Sequence, residues 1–351
     1  MPRKLGFFGC PLDPDEREAV IKSKAEKAKL GYASLAFKDP YDAMVHYLQS
    51  VKLNAPFDFL GKLDIAPWLI PAPEPKYLEL LTVENVVAFI DANGCLEYAT
   101  TAYRFVKEHV LAYKPVLMGV DHSLIGGPIR AIAETCGKSD LCVAILDSHL
   151  DAIIPTVRCG LIQYDVETNP ESPFDPFDPF IRGRLDSYNA DSFIYYLIHE
   201  GWVSSENVVV IGVCDYPPKA AFEIDDERVK RYVNLYTGFE KMGVKIIKKQ
   251  ELEENPSVVK KTLTEMKARN LYVSIDVDVG ANSALRGARF LDYTGLSEDL
   301  IHKVLGHLIS VIKRGVNLTG FDIVETDVHK ASLDRTYQIE LEIIKRFASY
   351  A

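Results

Sequence analysis

Short, β-branched apolar segments alternate with helical stretches along most of this chain, and no other sequence feature constrains its fold as strongly. Seven segments are predicted as strands: 5–10, 116–120, 141–146, 208–213, 244–247, 271–275 and 318–323. Helices are predicted at 40–51, 96–113, 129–135, 191–202, 257–269, 297–314 and 335–348. Strands that alternate with helices predict an α/β protein, with a mainly parallel sheet between two helical layers.

Three further features refine this prediction. Another helix is expected to begin at Asp13, where Pro14 and Glu16 complete a capping box. The proline-rich segment Pro173–Phe180 is predicted as a loop, because each proline removes a backbone donor. Since neither a domain-scale repeat nor a linker is recognisable, residues 1–351 are assigned to one domain. The motifs of this domain lie within residues 114–351. Residues 1–113 are assigned to the same domain only because of their pattern of helices and loops.

Charge and composition exclude several classes of protein. The 40 basic and 50 acidic residues give a net charge of −10, which argues against nucleic-acid binding. No apolar run is long enough to cross a membrane, and the apolar stretch near the amino terminus is too short for a signal peptide. The six cysteines form no Cys-x-x-Cys pair and are expected to be reduced thiols. The sequence therefore predicts a cytoplasmic protein.

Side chains suited to metal binding follow four of the predicted strands. Asp121 and His122 follow the second strand, and Asp147, His149 and Asp151 follow the third. Asp276 and Asp278 follow the strand at 271–275, and Glu325 follows the strand at 318–323. Because ligands gather at the carboxyl ends of parallel strands, we expect these segments to converge on one crevice.

Two imidazoles and four carboxylates are too many for one zinc ion and suit two divalent cations that share carboxylates, with manganese as the natural choice. Two such ions hold a hydroxide at neutral pH, which favours a hydrolase. Taken singly, an aspartate after a strand is more often a cap or turn residue, and for Asp121 that interpretation is preferred. The same preference for a structural role applies to His122 taken alone. Six ligand-type residues at three strand ends make coincidence a poor explanation.

The motifs resemble those of the ureohydrolases, the family of arginase, agmatinase and formimidoylglutamase. Family motifs of the forms Gly-Gly-Asp-His-Ser, Asp-Ala-His-x-Asp, Ser-x-Asp-x-Asp and Asp-x-Val-Glu have counterparts in the same order. Here they are Gly119-Val120-Asp121-His122-Ser123, Asp147-Ser148-His149-Leu150-Asp151, Ser274-Ile275-Asp276-Val277-Asp278 and Asp322-Ile323-Val324-Glu325.

This resemblance implies an arginase-like fold that binds two Mn(II) ions. His122 would bind one ion and His149 the other, and Asp147, Asp151, Asp276 and Asp278 would complete the set. A hydroxide bridging the metals would attack the central carbon of a small guanidino or amidino substrate, as in agmatinase or arginase. Asp151 would hydrogen-bond this nucleophile, and Glu325 would accept hydrogen bonds from the substrate nitrogens. The resemblance also implies a homo-oligomer, either a trimer or a hexamer.

Departures from the family motifs leave the substrate open. Asn189 stands where many members carry a proton-shuttling histidine, and Val120 replaces the second glycine of the first motif. Arg286 and Arg289 follow the third motif and would bind a substrate carboxylate if they point inward. The alternatives are a formimino-compound hydrolase and a metal-binding but catalytically silent member with an oligomeric or regulatory role. The Pro173–Phe180 loop is either a lid or a packing surface.

Overall fold

The computed structural model describes residues 3–32, 35–266 and 269–350. Its centre is a parallel sheet with strand order β2-β1-β3-β8-β7-β4-β5-β6. The strands are β1 (Leu5–Cys10), β2 (Phe57–Lys62), β3 (Lys114–Gly119), β4 (Leu141–Leu146), β5 (Val208–Val213), β6 (Lys245–Lys248), β7 (Asn270–Asp276) and β8 (Asn317–Val324). All seven predicted strands are present within a few residues of their expected bounds.

The four strands that precede the metal-type motifs are neighbours at the centre of this sheet. Strand β3 pairs with β8, β8 with β7, and β7 with β4, all in parallel. Each strand is buried along most of its length, so its apolar side chains anchor the loop that follows. The parallel arrangement therefore places all four motif loops at one edge of the sheet.

Helices cover both faces of the sheet. One core lies under α2 (Pro40–Gln49), α9 (Lys249–Glu254), α10 (Val258–Glu265), α11 (Glu298–Ile312) and α12 (Thr336–Ala348). The core of the other face includes side chains of α1 (Glu18–Lys29), α3 (Val83–Asp91), α4 (Gly94–Phe105), α5 (Gly126–Cys136), α7 (Phe193–His199) and α8 (Glu227–Lys241). Helix α6 (Pro155–Thr168) packs on α8 through a smaller cluster. The predicted three-layer α/β/α fold is confirmed.

Two helix starts follow the expected capping chemistry. The Asp39 side chain accepts a hydrogen bond from the Asp42 backbone N–H at the start of α2. The Ser297 hydroxyl does the same for the Leu300 N–H at the start of α11. Both satisfy a backbone donor that has no partner inside the helix.

The helix predicted from Asp13 is wrong in its start. Helix α1 begins at Glu18, and the Asp13 carboxylate is buried against the amine of Lys24 at 2.5 Å and the guanidinium of Arg289 at 3.2 Å. The capping-box pattern predicted the wrong helix start because it considers only neighbouring residues. The partner of Asp13 that decides its position, Arg289, lies far away in the sequence. The ion pairs compensate the cost of burying this carboxylate.

Other differences have simple causes. Strand β2 was not predicted, because it is an edge strand with intermediate to exposed side chains. The helix predicted at 257–269 ends at Glu265, and residues 267 and 268 lie outside the described part of the chain. Within the described ranges no helix is long and apolar enough to cross a membrane. The assignment of 1–351 to one domain stays a prediction.

Pro173–Phe180 forms an irregular loop that ends in a 3-10 turn at Pro179–Ile181. The side chains of Asp175 and Asp178 accept hydrogen bonds from backbone N–H groups within the loop. The Phe177 ring is 90% exposed. The loop therefore satisfies part of its own backbone and presents an apolar ring to the surface.

Candidate metal centre

Six of the residues predicted from the sequence lie together at the carboxyl ends of the central strands. They form two groups, one of His122, Asp147, Asp151 and Asp276 and one of Asp147, His149 and Asp278. Within each group the potential ligand atoms lie within 4.8 Å of one another. Asp147 belongs to both groups, so they adjoin.

The first group surrounds one nitrogen atom. His122 Nδ1 lies 2.7 Å from Asp151 Oδ2, 3.1 Å from Asp276 Oδ2 and 3.2 Å from Asp147 Oδ2. In the second group, His149 Nδ1 lies 2.9 Å from Asp278 Oδ2 and 3.5 Å from Asp147 Oδ1. One imidazole nitrogen in each group therefore faces at least one carboxylate oxygen from another strand end.

Hydrogen bonds on the outer side of these residues fix their orientation. The Ser274 hydroxyl lies 3.0 Å from His122 Nε2 and donates to Asp322 Oδ1 at 2.6 Å. The Ser148 hydroxyl donates to Asp278 Oδ1 at 2.8 Å, which leaves Oδ2 of that carboxylate to face His149. Partners of this kind are typical of metal sites, because they set the direction of each ligand atom.

Two residues of the centre adopt a backbone conformation that is rare without glycine. Asp151 has a φ of 51° and Glu325 a φ of 64°. Backbone hydrogen bonds hold both, from Ile194 N to Asp151 O and from Glu325 N to Val120 O, each at 3.0 Å. Such strain costs on the order of 1 kcal/mol per residue and is found most often at functional sites.

The electrostatics of the site favour the binding of cations. Burial alone lowers the pKa of His122, but the carboxylates of Asp147, Asp151 and Asp276 outweigh it and raise that pKa well above its ordinary value. Burial and the neighbouring carboxylates of Asp278 and Asp147 raise the pKa of Asp276 well above its ordinary value. This crowding of acids is costly unless positive charge compensates it.

The donor set fits two divalent metal ions. His122 Nδ1 and Asp147 Oδ2 are buried, face the centre and make no hydrogen bond with the described residues. The four carboxylates of the two groups carry four negative charges when ionised, which two divalent cations balance. Imidazole and carboxylate ligands in this number suit such ions.

Glu325 lies beside the metal ligands but has a partner of its own. Its Oε1 accepts from the His122 backbone N–H at 2.8 Å, and Arg289 Nη1 donates to Oε1 at 3.1 Å and to Oε2 at 3.0 Å. Burial raises the pKa of the Glu325 carboxyl, and the Arg289 guanidinium opposes that rise. The carboxylate that the sequence assigned to substrate thus contacts a guanidinium of the same chain.

Two adjoining cavities open onto this region. The smaller, of about 200 Å³, is lined by ligands of both groups and by Glu325. The larger, of about 510 Å³, is lined by Arg289 and by much of the Pro173–Phe180 loop. Arg158, Asp191 and Phe290 line both, and Arg158 pairs with Asp191. The smaller cavity holds only a small chemical group, and the larger one has room for the rest of a substrate.

The remaining predicted residues are dispersed. Asn189 lines the larger cavity, and its Oδ1 accepts from the Ser192 hydroxyl at 3.2 Å. Arg286 is exposed, and the described residues offer its guanidinium no hydrogen bond or ion pair. Arg289 does point inward, but it contacts protein carboxylates. Asp121 caps the turn at His122–Ile125 by accepting from the Ser123 N–H at 3.1 Å, as its preferred interpretation predicted.

Asp215 and Tyr293 are among the residues of the smaller cavity that sequence reasoning missed. Asp215 is buried two residues after the end of β5 and keeps one oxygen without a hydrogen bond among the described residues. The Tyr293 ring packs against the His149 ring, with centroids 5.5 Å apart. The strand-end rule that found the other acids also applies to Asp215. No local pattern marks Tyr293, which lies in an irregular loop.

An α/β sheet with acidic and imidazole side chains gathered at its strand ends is typical of a metal-dependent enzyme. The model of the arginase family matches residues 60–348. No match is found among curated protein sequences. The chain therefore belongs to the arginase family and is a metal-dependent hydrolase, as the resemblance implied.

Solved structures show the same fold along the whole chain. Proclavaminate amidino hydrolase from Streptomyces clavuligerus is 17% identical, with a TM-score of 0.57 over 100% of this chain and 93% of that one. Formimidoylglutamase from Bacillus subtilis is 16% identical, with a TM-score of 0.57 over 100% and 88%. Arginase from Bacillus subtilis is 18% identical, with a TM-score of 0.56 over 99% and 98%.

Proposed function

We propose that this protein is a dinuclear manganese hydrolase that cleaves a linear carbon–nitrogen bond in a small guanidino or amidino compound. The observation that carries the proposal is the gathering of six potential ligands in two groups that share Asp147. The chain's similarity to proteins described as arginase, formimidoylglutamase and amidino hydrolase supports the reaction class.

In this proposal each ion has its own imidazole. His122, Asp151 and Asp276 would hold one ion and His149 and Asp278 the other, and Asp147, which belongs to both groups, would serve both ions. When bound, two such ions make a nucleophile of water at neutral pH. Manganese is the proposed metal because the donor set is rich in carboxylate oxygen.

The side chains around the smaller cavity differ in what they contribute to the reaction. Asp151 belongs to the first group and also lines the smaller cavity, and in this proposal its carboxylate accepts a hydrogen bond from the attacking water. The confined volume limits the entry of other water molecules, which strengthens the electrostatic interactions of the reacting group. Asn189 cannot carry a proton to the leaving nitrogen, because an amide does not titrate near neutral pH.

The test combines metal content with product release. Protein loaded with manganese is analysed for metal, and release of ammonia or urea is followed with arginine, agmatine, guanidinobutyrate and formiminoglutamate. We expect two ions per chain and turnover of one compound. The matched control is Asp147→Asn, which keeps the side-chain volume but removes the shared charge. Fewer than two ions in the wild type, or turnover that survives this substitution, contradicts the proposal.

We also propose that the protein assembles as a trimer or hexamer in the cytoplasm. The exposed Phe177 ring of the Pro173–Phe180 loop is an apolar contact that assembly would cover. All six cysteines are free, which suits a reducing compartment. Sedimentation tests the assembly against the monomer mass of 39.4 kDa. A monomer at micromolar concentration, or the protein in an exported fraction, contradicts the respective proposal.

A further inference from the structure

Glu325 is a buried carboxylate that lines the smaller cavity but belongs to neither group of metal ligands. A carboxylate in this position is suited to bind a cationic nitrogen group next to the metals, because it pairs with a planar guanidinium fork. Its oxygens already accept from Arg289 Nη1 at 3.0 and 3.1 Å and from the His122 N–H at 2.8 Å. Most of its accepting capacity is therefore used within the protein.

The Arg289 guanidinium is held firmly in this position. The residue is only 6% exposed, although arginine is almost never buried without partners. Besides Glu325, its Nη1 contacts the Val120 carbonyl at 3.2 Å and Asp121 Oδ2 at 3.3 Å, and its Nη2 contacts Asp13 Oδ1 at 3.2 Å. Three different loops thus fix the guanidinium, so moving it aside for a substrate would break several buried charged contacts.

The other basic side chains nearby do not replace Arg289 as the partner of Glu325, because they pair with other carboxylates. Lys24 pairs with Asp13, and Arg17 pairs with Asp15. Within the described part of the chain, Arg289 is thus the basic side chain that pairs with both Asp121 and Glu325. A substrate guanidinium placed on Glu325 would lie against a second guanidinium of the same sign, without displacing it.

We infer that Arg289 is a specificity-determining residue. Its guanidinium forms an ion pair with the Glu325 carboxylate and so prevents a substrate guanidinium group from binding there. The inference rests on the proposed function, since it concerns which compounds enter the cavity beside the metals. In this inference Glu325 positions the Arg289 guanidinium. The reacting group of the substrate then binds beside the metals without a contact to the Glu325 carboxylate. Compounds whose binding depends on such a carboxylate are poor ligands of this protein.

Chemical rescue tests the inference without measuring turnover. In Arg289→Gly the guanidinium is removed and a space beside Glu325 remains. We expect millimolar guanidinium chloride to raise the unfolding temperature of the manganese-loaded variant by several degrees relative to equal sodium chloride. Wild type and the matched control Arg286→Ala, an exposed arginine of the same loop, are expected to show no such rise.

A double variant localises the effect. In Arg289→Gly/Glu325→Gln the carboxylate that binds guanidinium is also removed, so the rise is expected to disappear. If guanidinium still raises the unfolding temperature of the double variant, it binds another carboxylate of the cavity, such as Asp215, and the inference is overturned. An equal rise in wild type and in Arg289→Gly overturns it as well.

The wild-type protein provides a test that needs no variant, should Arg289→Gly fail to fold. Calorimetric titration of the manganese-loaded protein with agmatine and with guanidinium chloride is expected to give no binding at millimolar concentration. Binding of either cation, or hydrolysis of a guanidino compound, overturns the inference. Absence of turnover with every amidino compound contradicts the proposed function instead, and the rescue experiment then still decides the role of Arg289.

Discussion

Asp147 is the residue on which both groups of the metal centre depend. Its Oδ2 lies 3.2 Å from His122 Nδ1 and its Oδ1 lies 3.5 Å from His149 Nδ1. Asp278 by contrast belongs to the second group alone. Substitutions of Asp147 and of Asp278 are therefore expected to differ in the number of metal ions that the protein loses.

We predict that Asp147→Ala reduces the manganese content from about two ions per chain to less than one, because both groups lose a ligand. Asp278→Ala is expected to retain about one ion, since the first group stays complete. Elemental analysis after dialysis measures both, and circular dichroism checks that each variant is folded. Equal metal loss in the two variants would contradict the sharing of Asp147.

The Ser274 hydroxyl acts on the centre through His122. It lies between His122 Nε2 and Asp322 Oδ1 and fixes the imidazole so that Nδ1 faces the carboxylates. We predict that Ser274→Ala weakens manganese binding about 10- to 100-fold, the usual effect of losing such a partner. Calorimetric titration with manganese measures the change. Ser310→Ala, whose hydroxyl donates to the His307 carbonyl in α11, is the control and should bind as wild type does.

How well a residue was predicted depended on whether its role is local. The Asp147–His149–Asp151 triplet was recognisable because ligand types alternate directly after a buried strand, whereas His122 was supported only jointly with the other strand ends. Arg289 was left open between a substrate contact and a solvated charge, because its partners Asp13 and Glu325 come from distant loops. A sequence does not reveal which of its charges are adjacent in space.

At the scale of elements, the end of strand β5 constrains the metal centre through a close backbone contact. Gly212 has a φ of 111°, and a Cβ placed on it would lie 2.9 Å from the Asp147 carbonyl oxygen and 2.8 Å from Val279. A left-handed φ and this contact both disfavour any side chain. Strand β5 is therefore tied to the position of Asp147.

We predict that Gly212→Ala lowers the free energy of unfolding by about 1–3 kcal/mol and weakens metal binding, because the added methyl group displaces Asp147. Gly306 in the middle of α11 is the control, since a Cβ there meets no atom within 4 Å. Gly306→Ala is expected to stabilise the protein by about 0.5–1 kcal/mol. Urea unfolding measures both. A neutral Gly212→Ala would show that the backbone around Asp147 adapts.

Strands that are continuous apolar runs were predictable, whereas edge strand β2 and the helices α3, α6, α8 and α9 were not predicted. The buried strands β4 and β5 were placed at their observed bounds, since both are continuous apolar runs. Edge strand β2 has mixed polarity, and its pairing with β1 supplies the stability that its own sequence lacks. The start of α1 was misplaced because tertiary ion pairs outweigh the local capping pattern at Asp13.

At the scale of the whole molecule, folding brings like charges together. The sheet order places β3, β8, β7 and β4 side by side, and the acids that follow them are packed into one region by helices on both faces. The order of strands in the sheet did not follow from the sequence, because parallel connections allow several orders. Hydrophobic burial thus supplies the free energy that holds the centre together before any cation binds.

This arrangement predicts how metal binding depends on pH. In the metal-free protein the carboxylates outweigh burial and raise the pKa of His122 and of His149 well above 6.5. Such histidines stabilise the fold fully below their unfolded pKa, and the stabilisation is lost as pH rises through the folded pKa. A metal ion requires the same imidazoles to be neutral, so protons compete with it.

We therefore predict that the rise in unfolding temperature caused by manganese grows with pH, and that the stability of the chelated protein falls as pH rises above about 6.5, where unfolded histidines lose the proton that His122 and His149 keep. Thermal unfolding with manganese or with a chelator, measured across this pH range, tests both slopes. Titrations in two buffers of different ionisation enthalpy count the protons released on binding. A rise that does not depend on pH, together with no proton release, would mean that His122 and His149 are already neutral without metal and that the carboxylates of the centre do not act on them as the geometry requires.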